Sequence, residues 1–142
     1  MTFIDENDDL AAILRTAIVE LVRRDGADLS ARQMAVFLTC YLENEAQTVR
    51  GLAARLSVSK PAITRALDRL TEFDLVRRKA DPLDRRSVLV QRTPAGATYL
   101  RDLRTILTDA AKGRPATATP AASAPVSGPD RMAAAPLMRA AH

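Results

Sequence analysis

A chain of 142 residues, 47% apolar and 27% charged, suits one domain with a modest core, and no apolar run reaches the roughly 18 residues that span a membrane. The lone cysteine, Cys40, excludes an internal disulfide, and the acidic opening from Met1 to Asp9 lacks the basic start of a signal peptide, so a cytoplasmic location is expected. The net charge of +4 is unevenly spread: residues 1–49 carry 4 Lys and Arg against 9 Asp and Glu, residues 50–92 carry 11 against 5, and residues 93–142 carry 6 against 3, so a basic middle suited to phosphate contact follows an acidic start.

The first element is expected as a helix from about Asp8 to Arg24. Leu10, Ile13, Leu14, Ala17, Ile18, Leu21 and Val22 recur at spacings of three and four. Acidic residues precede the stripe, Arg23-Arg24 close it, and Asp25-Gly26 stops it. Such a helix serves either as an ordinary core element or as a subunit interface. Ser30-Ala31-Arg32-Gln33 forms a capping box, opening a helix to about Leu42 with Met34, Phe37, Leu38, Tyr41 and Leu42 inward. Cys40 lies at the edge of that stripe without a Lys or Arg within a turn, which points to a buried, inert thiol over a redox sensor. Thr48 caps the next helix, and the segment from Glu45 to Thr48 is a candidate third strand.

Between Leu52 and Arg92 the pattern becomes specific. Leu52-Ala53-Ala54-Arg55-Leu56 ends one helix, Ser57-Val58-Ser59 makes a tight turn, and a second helix runs from about Lys60 to Phe73. Leu52, Leu56 and Val58 face a matching stripe of Ile63, Ala66, Leu67 and Leu70. Ser59 is the expected N-cap, with Pro61 in the first turn; the alternative is a start at Pro61, since a residue before proline resists the α region. The outer side then carries Lys60, Pro61, Thr64, Arg65, Asp68 and Arg69, and small or hydrogen-bonding groups near the helix start beside cations suit a helix laid in the major groove. Leu75-Val76-Arg77-Arg78-Lys79 and Ser87-Val88-Leu89-Val90-Gln91-Arg92 read as two strands. The loop between them, Asp81-Pro82-Leu83-Asp84-Arg85-Arg86, puts two guanidinium groups at or near a hairpin tip. Alone, that pair reads as a solvated turn; after a helix-turn-helix it reads as a wing reaching the minor groove or its phosphates.

Thr93-Pro94 opens a last helix, with Ala97, Leu100, Leu103, Ile106, Leu107 and Ala110 inward and an end at Lys112-Gly113. Residues 113–142 are rich in Ala, Pro, Thr and Ser and are expected to be disordered. The fold class is mainly α with a small β-hairpin wing (α+β): a winged helix-turn-helix over residues 1–112, with a DNA-reading core at 46–92 and flanking helices for dimerisation.

Leu75-Val76-Arg77-Arg78, Asp84-Arg85-Arg86 and Thr93-Pro94-Ala95-Gly96 together resemble the MarR family of winged helix-turn-helix regulators, over about residues 30–107. The resemblance implies a homodimer on double-stranded DNA, often a repressor, often answering to a small phenolic or other anionic effector or to oxidants. It also implies that Ser59, Lys60, Pro61, Thr64 and Arg65 face the major groove, that Arg85 and Arg86 are wing contacts, that Asp84 holds the wing arginines in place, and that the first helix and the Pro94–Lys112 helix make the dimer. Three positions depart from the family pattern. Asp74 and Ser57 stand where glycine is common, and Arg92 stands where an apolar residue usually closes the wing strand. In the family the Pro94 helix usually leads into a further one, which the tail composition does not supply.

No phosphate-cradling glycine loop, Cys/His metal spacing or Ser/His/Asp set occurs, and the one histidine is His142. A non-enzyme without cofactor or metal is expected. A ligand pocket would lie between the first helix, the Ser30 helix and the wing domain, with Met34, Phe37 and Tyr41 as lining candidates. The rival reading is an adaptor that binds protein through the winged surface. Lys60, Arg65, Arg69, Arg77, Arg78, Lys79, Arg85 and Arg86 gathered on one face would favour DNA.

Overall fold

The computed structural model describes residues 6–113; the Ala/Pro-rich tail beyond Gly113 and the first residues of the acidic opening lie outside them. In chain order the elements are α1 (Glu6–Arg23), α2 (Ala31–Leu42), α3 (Val49–Leu56), α4 (Lys60–Glu72), β1 (Val76–Asp81), β2 (Asp84–Arg92) and α5 (Pro94–Ala111).

Four helix starts are set by hydroxyl caps that relieve the unpaired N–H groups of a first turn. Ser30 accepts from Gln33 N and Gln33 returns a bond from Ser30 N, completing the expected capping box. Thr48 accepts from Gly51 N, Ser59 from Ala62 N, and Thr93 from Gly96 N. The α3–α4 joint is tight because Ser57 adopts a left-handed conformation, φ 57°, and Val58 N reaches back to Ala53 O at 3.0 Å. Asp74 takes the same conformation after α4. The two positions that depart from the glycine pattern therefore keep the glycine geometry.

The core lies between α2, α3, α4 and the inner face of the hairpin. Val36, Phe37, Leu52, Ile63, Leu67, Leu70 and Val76 are fully buried there, joined by Ala66, Leu75 and Val90. Every residue of the expected α4 stripe is inside. On α2 the inward face is turned from the expected one: Val36 and Cys40 are buried beside Phe37 and Tyr41, while Leu42 is 55% exposed. Leu42 sits about 100° round the helix from Tyr41 and so points past the core.

The strands pair antiparallel, in regular register from Val76 opposite Arg92 to Ala80 opposite Val88. Asp81 then pairs with Asp84, leaving Arg85, Arg86 and Ser87 as a bulge on β2. The expected third strand shrinks to a single bridge, Thr48 to Leu89, with Val90 N bonded to Gln47 O at 2.9 Å.

Helix α1 packs along α5. Its expected apolar stripe is split. Ala17 is buried and Ile13 and Leu21 partly so, but Leu10, Leu14, Ile18 and Val22 are between 45% and 66% exposed. Those four recur every fourth residue and form one outward seam.

Candidate nucleic-acid interface

Helix α4 buries Ala62, Ile63, Ala66, Leu67 and Leu70 and leaves Lys60, Pro61, Thr64, Arg65, Asp68 and Arg69 in solvent. The exposed set contains the residues assigned to the groove-facing side. Ser59 spends its hydroxyl on the Ala62 N–H, so its part is to fix where the helix begins. Arg69 is held elsewhere: its guanidinium bonds Glu72 at 2.8 Å and lies 4.6 Å from the centre of the Phe73 ring. It sits toward the C-terminal end of α4, apart from the cations at its start.

The wing is shaped by its two aspartates. Asp81 accepts from Leu83 N and Asp84 from Arg86 N, each two residues on, and these side chains take over the turn's unpaired N–H groups. Asp84 thus holds the backbone of the arginine segment rather than a guanidinium. Pro82 and Leu83 occupy the tip, Leu83 being 95% exposed. Arg85 and Arg86 are set back from the tip in the bulge, where the unpaired backbone redirects their side chains. Among the described residues neither makes an ion pair.

The start of α4, the start of α3 and the wing meet around a cleft of about 150 Å³ lined by Val49, Arg50, Lys60, Thr64, Arg86, Ser87 and Val88. Three cations from three elements, with two hydroxyls, surround this space. No carboxylate lines it. Lys60, Thr64 and Arg86 are among the residues expected at the interface; Arg50, which lines the same cleft, is not. Its signal is a cation two residues after the Thr48 cap, outside the second helix and the wing.

Of the other basic residues, Arg77 lies 3.6 Å from Asp74 and Arg78 is 2.7 Å from Asp68, so both are partly neutralised. Of the eight cations expected on the DNA-facing side, Lys60, Arg65, Lys79, Arg85 and Arg86 make no ion pair among the described residues.

A buried polar joint sets α4 against the wing. The Tyr41 hydroxyl donates to Leu75 O at 2.7 Å and accepts from Thr93 N at 2.9 Å, while Thr93 Oγ1 donates to Asp74 O at 2.6 Å. Gly96 completes the joint: a Cβ there would collide with the Tyr41 hydroxyl and the Leu75 carbonyl. The Thr-Pro-Ala-Gly motif is thereby explained, with Thr93 as cap and tie and Gly96 as the space for Tyr41. Tyr41, expected only as apolar lining, is the hub. Arg92 has a role as well. Its guanidinium donates to Cys40 O at 2.9 Å and Glu43 O at 2.6 Å, anchoring the root of β2 to the end of α2.

Cys40 is buried, and burial pushes its thiol up to about 12 although Arg92 acts in the opposite direction. Such a thiol is a weak nucleophile, as the sequence suggested, even though a cation absent from its sequence neighbourhood is brought near. A cavity of about 390 Å³ lies between the end of α1, the end of α4 and α5, lined by Leu21, Phe73, Tyr99, Leu103 and Ile106 among others. Its place is close to the expected ligand pocket. Its lining is not: Met34, Phe37 and Tyr41 take no part, Phe37 being wholly core.

Comparison with known proteins agrees with this geometry. The family model described as MarR family matches residues 29–88. The transcriptional regulator BldR from Sulfolobus solfataricus is 34% identical, over 77% of this chain and 81% of that one, with a TM-score of 0.52. A MepR variant from S. aureus bound to an oligodeoxyribonucleotide is 18% identical over 73% and 74%, with a TM-score of 0.64. The YusO protein of Bacillus subtilis is 19% identical over 70% and 67%, with a TM-score of 0.58. Comparison with curated proteins gives no match. The MarR model spans the helix-turn-helix and most of the wing, and the BldR likeness extends across most of both chains; this chain belongs to the MarR family of winged helix-turn-helix transcriptional regulators.

Proposed function

We propose that this regulator binds duplex DNA as a homodimer and represses transcription, with α4 in the major groove and the wing at the minor groove. The observation that carries the reading is the convergence of Arg50, Lys60, Thr64 and Arg86 at the cleft between α3, α4 and the wing. Lys60, Pro61, Thr64 and Arg65 face the bases or the adjacent backbone, Ser59 fixes the helix start, and Arg85 and Arg86 sit at the minor groove with Asp84 shaping their loop. Arg69 contributes at most to the flanking field. The S. aureus MepR structures with DNA, which share this fold, support DNA as the partner.

Dimerisation is supported by the outward seam of Leu10, Leu14, Ile18 and Val22 on α1, with Leu107 exposed on α5. A row of large apolar groups in water is stabilised by burial against another copy. Residues 1–112 then form one functional unit with its reader at 46–92. Response to a small anionic or phenolic effector is part of the proposal and is supported by the family's habit together with the cavities beside α5. No helix among the described residues is long and apolar enough to cross a membrane, and a DNA reader belongs in the cytoplasm. Members of the family are generally not enzymes, and this chain is read as a non-enzyme.

Operator selection followed by binding across a salt series tests the reading. An inverted repeat with half-sites one helical turn apart, about 34 Å, is expected. So is an affinity that falls steeply with salt, with a slope of about −0.9 per phosphate contacted. Arg85→Ala should weaken binding at fixed salt. Binding without sequence preference or salt dependence would favour the protein adaptor instead.

A further inference from the structure

Leu83 is 95% exposed at the end of the wing, whereas the next most exposed large apolar side chain among the described residues, Val22, is at 66%. It shares a two-residue tip with Pro82, between Asp81 and Asp84, the last paired residues of the hairpin. The tip has no other group to offer a partner. Pro82 carries no N–H. The Leu83 N–H is already bonded to the Asp81 carboxylate at 2.9 Å, and the Asp84 carboxylate takes Arg86 N at 3.0 Å. Both carboxylates are turned back onto amides of the loop, so they brace the tip instead of leading it. A phosphate finds no free donor on either tip residue; what projects is an apolar side chain on a braced backbone. The cations Arg85 and Arg86 are set back on β2. From Arg86, which lines the cleft with Arg50 and Lys60, the chain to Leu83 spans at most roughly 10 Å at about 3.3 Å per residue. With its root held at a phosphate, the wing is long enough for its tip to reach the floor of a minor groove about 6 Å wide and about 7.5 Å deep.

We propose that Leu83 is an apolar wedge that enters the minor groove and opens one base step, so that the wing reads how easily the operator deforms. Leucine and proline are among the side chains that wedge between stacked bases and kink a duplex. Pyrimidine–purine steps, TA and CA/TG, open most easily, so the wedge selects such a step under each wing without a hydrogen bond to any base. Arg85 and Arg86, behind it, hold the phosphates at the groove edge. Burial between bases also takes the Leu83 side chain out of water, which favours the bound state. This deepens the proposed function and rests on its placing of the wing at the minor groove.

The test uses the full chain and the operator that it selects, with 2-aminopurine in place of the adenine at the step under the wing. Fluorescence of that base, quenched by stacking, should rise on binding, and the selected operators should carry TA or CA/TG there. Leu83→Ala should abolish the rise and relax the choice of base at that step alone. It should also lower affinity on the order of tenfold, as the lost burial of a leucine side chain requires. At 95% exposure the substitution removes no packing, so its urea midpoint should match the parent's. Leu83→Met, a wedge of similar volume, should keep the rise. Arg85→Ala should bind more weakly yet show the rise once the operator is saturated. No rise in the parent, a rise or an affinity undiminished in Leu83→Ala, or no preferred step under the wing would each overturn the wedge and leave the regulator reading in place. A change in the sedimentation of Leu83→Ala would set Leu83 against a second copy and overturn the wedge as well. A parent that selects no operator would remove both.

Discussion

The reading head and the α1–α5 pair are built on opposite terms. In the head, every large apolar residue of α4 is inside, and the side that faces out is charged. On α1 the pattern is reversed along one seam, where Leu10, Leu14, Ile18 and Val22 stand in solvent. The head buries its apolar face within one chain, whereas the α1 seam stays exposed in it. In the proposed dimer the layer would set the spacing and the head the contacts.

The comparison is broken most directly by truncating equivalent leucines on the two sides. Leu67→Ala empties a fully buried position and should cost about 2–5 kcal/mol in urea unfolding. Leu14→Ala removes a side chain that is 58% exposed, and should change unfolding of a monomer far less. If the seam is covered by a second copy, Leu14→Asp should shift sedimentation from dimer to monomer while near-native secondary structure persists. A monomer already present at micromolar concentration in the unaltered chain would remove the dimer.

The next effect lies where the two regions join. Gly96→Ala drives a methyl group into the Tyr41 hydroxyl and the Leu75 carbonyl, one of them backbone that cannot yield cheaply. Overpacking of that kind costs about 1–3 kcal/mol. It should also lower DNA affinity, because the Tyr41–Thr93 bonds fix α5 against the turn that leads into the wing. Tyr41→Phe keeps the ring but leaves Thr93 N and Leu75 O without their partner, so it should destabilise as well, by about 1–3 kcal/mol. Unchanged thermal stability in both variants would mean that the joint is not a structural tie.

The sequence made the head legible because its signals are local. Periodicity placed the α4 stripe, hydroxyl-then-spacing placed four caps, and Asp-Pro marked the turn. What it did not show depends on contacts between distant segments. The inward face of α2 follows from where α3 and α4 press on it, so Leu42 was misplaced. Arg50 joins Lys60 and Arg86 only after three elements meet. The Tyr41 hydroxyl finds Thr93 fifty-two residues away, and Arg92 finds Cys40 at the same separation. The surroundings of Arg69 lie nearer in sequence: Glu72 and Phe73, three and four residues on, hold its guanidinium.

The smallest effect tests how the head tolerates its own departures from the glycine pattern. Asp74 has φ 57°, a conformation in which a Cβ crowds the following carbonyl at a cost of about 1–2 kcal/mol, somewhat less for Asp. Its carboxylate recovers part of this through Arg77, but that pair is 3.6 Å apart with both side chains more than half exposed, so the return is slight. Asp74→Gly removes the crowding, yet it also widens the unfolded ensemble. The net expectation is a stabilisation of under about 1 kcal/mol, read as a small rise in the urea midpoint with an unchanged slope. A fall in the midpoint would show that the Arg77 pair, or some other benefit of the carboxylate, outweighs the backbone strain. DNA affinity should move little, and slightly upward, since the substitution removes a negative charge from the base of the wing.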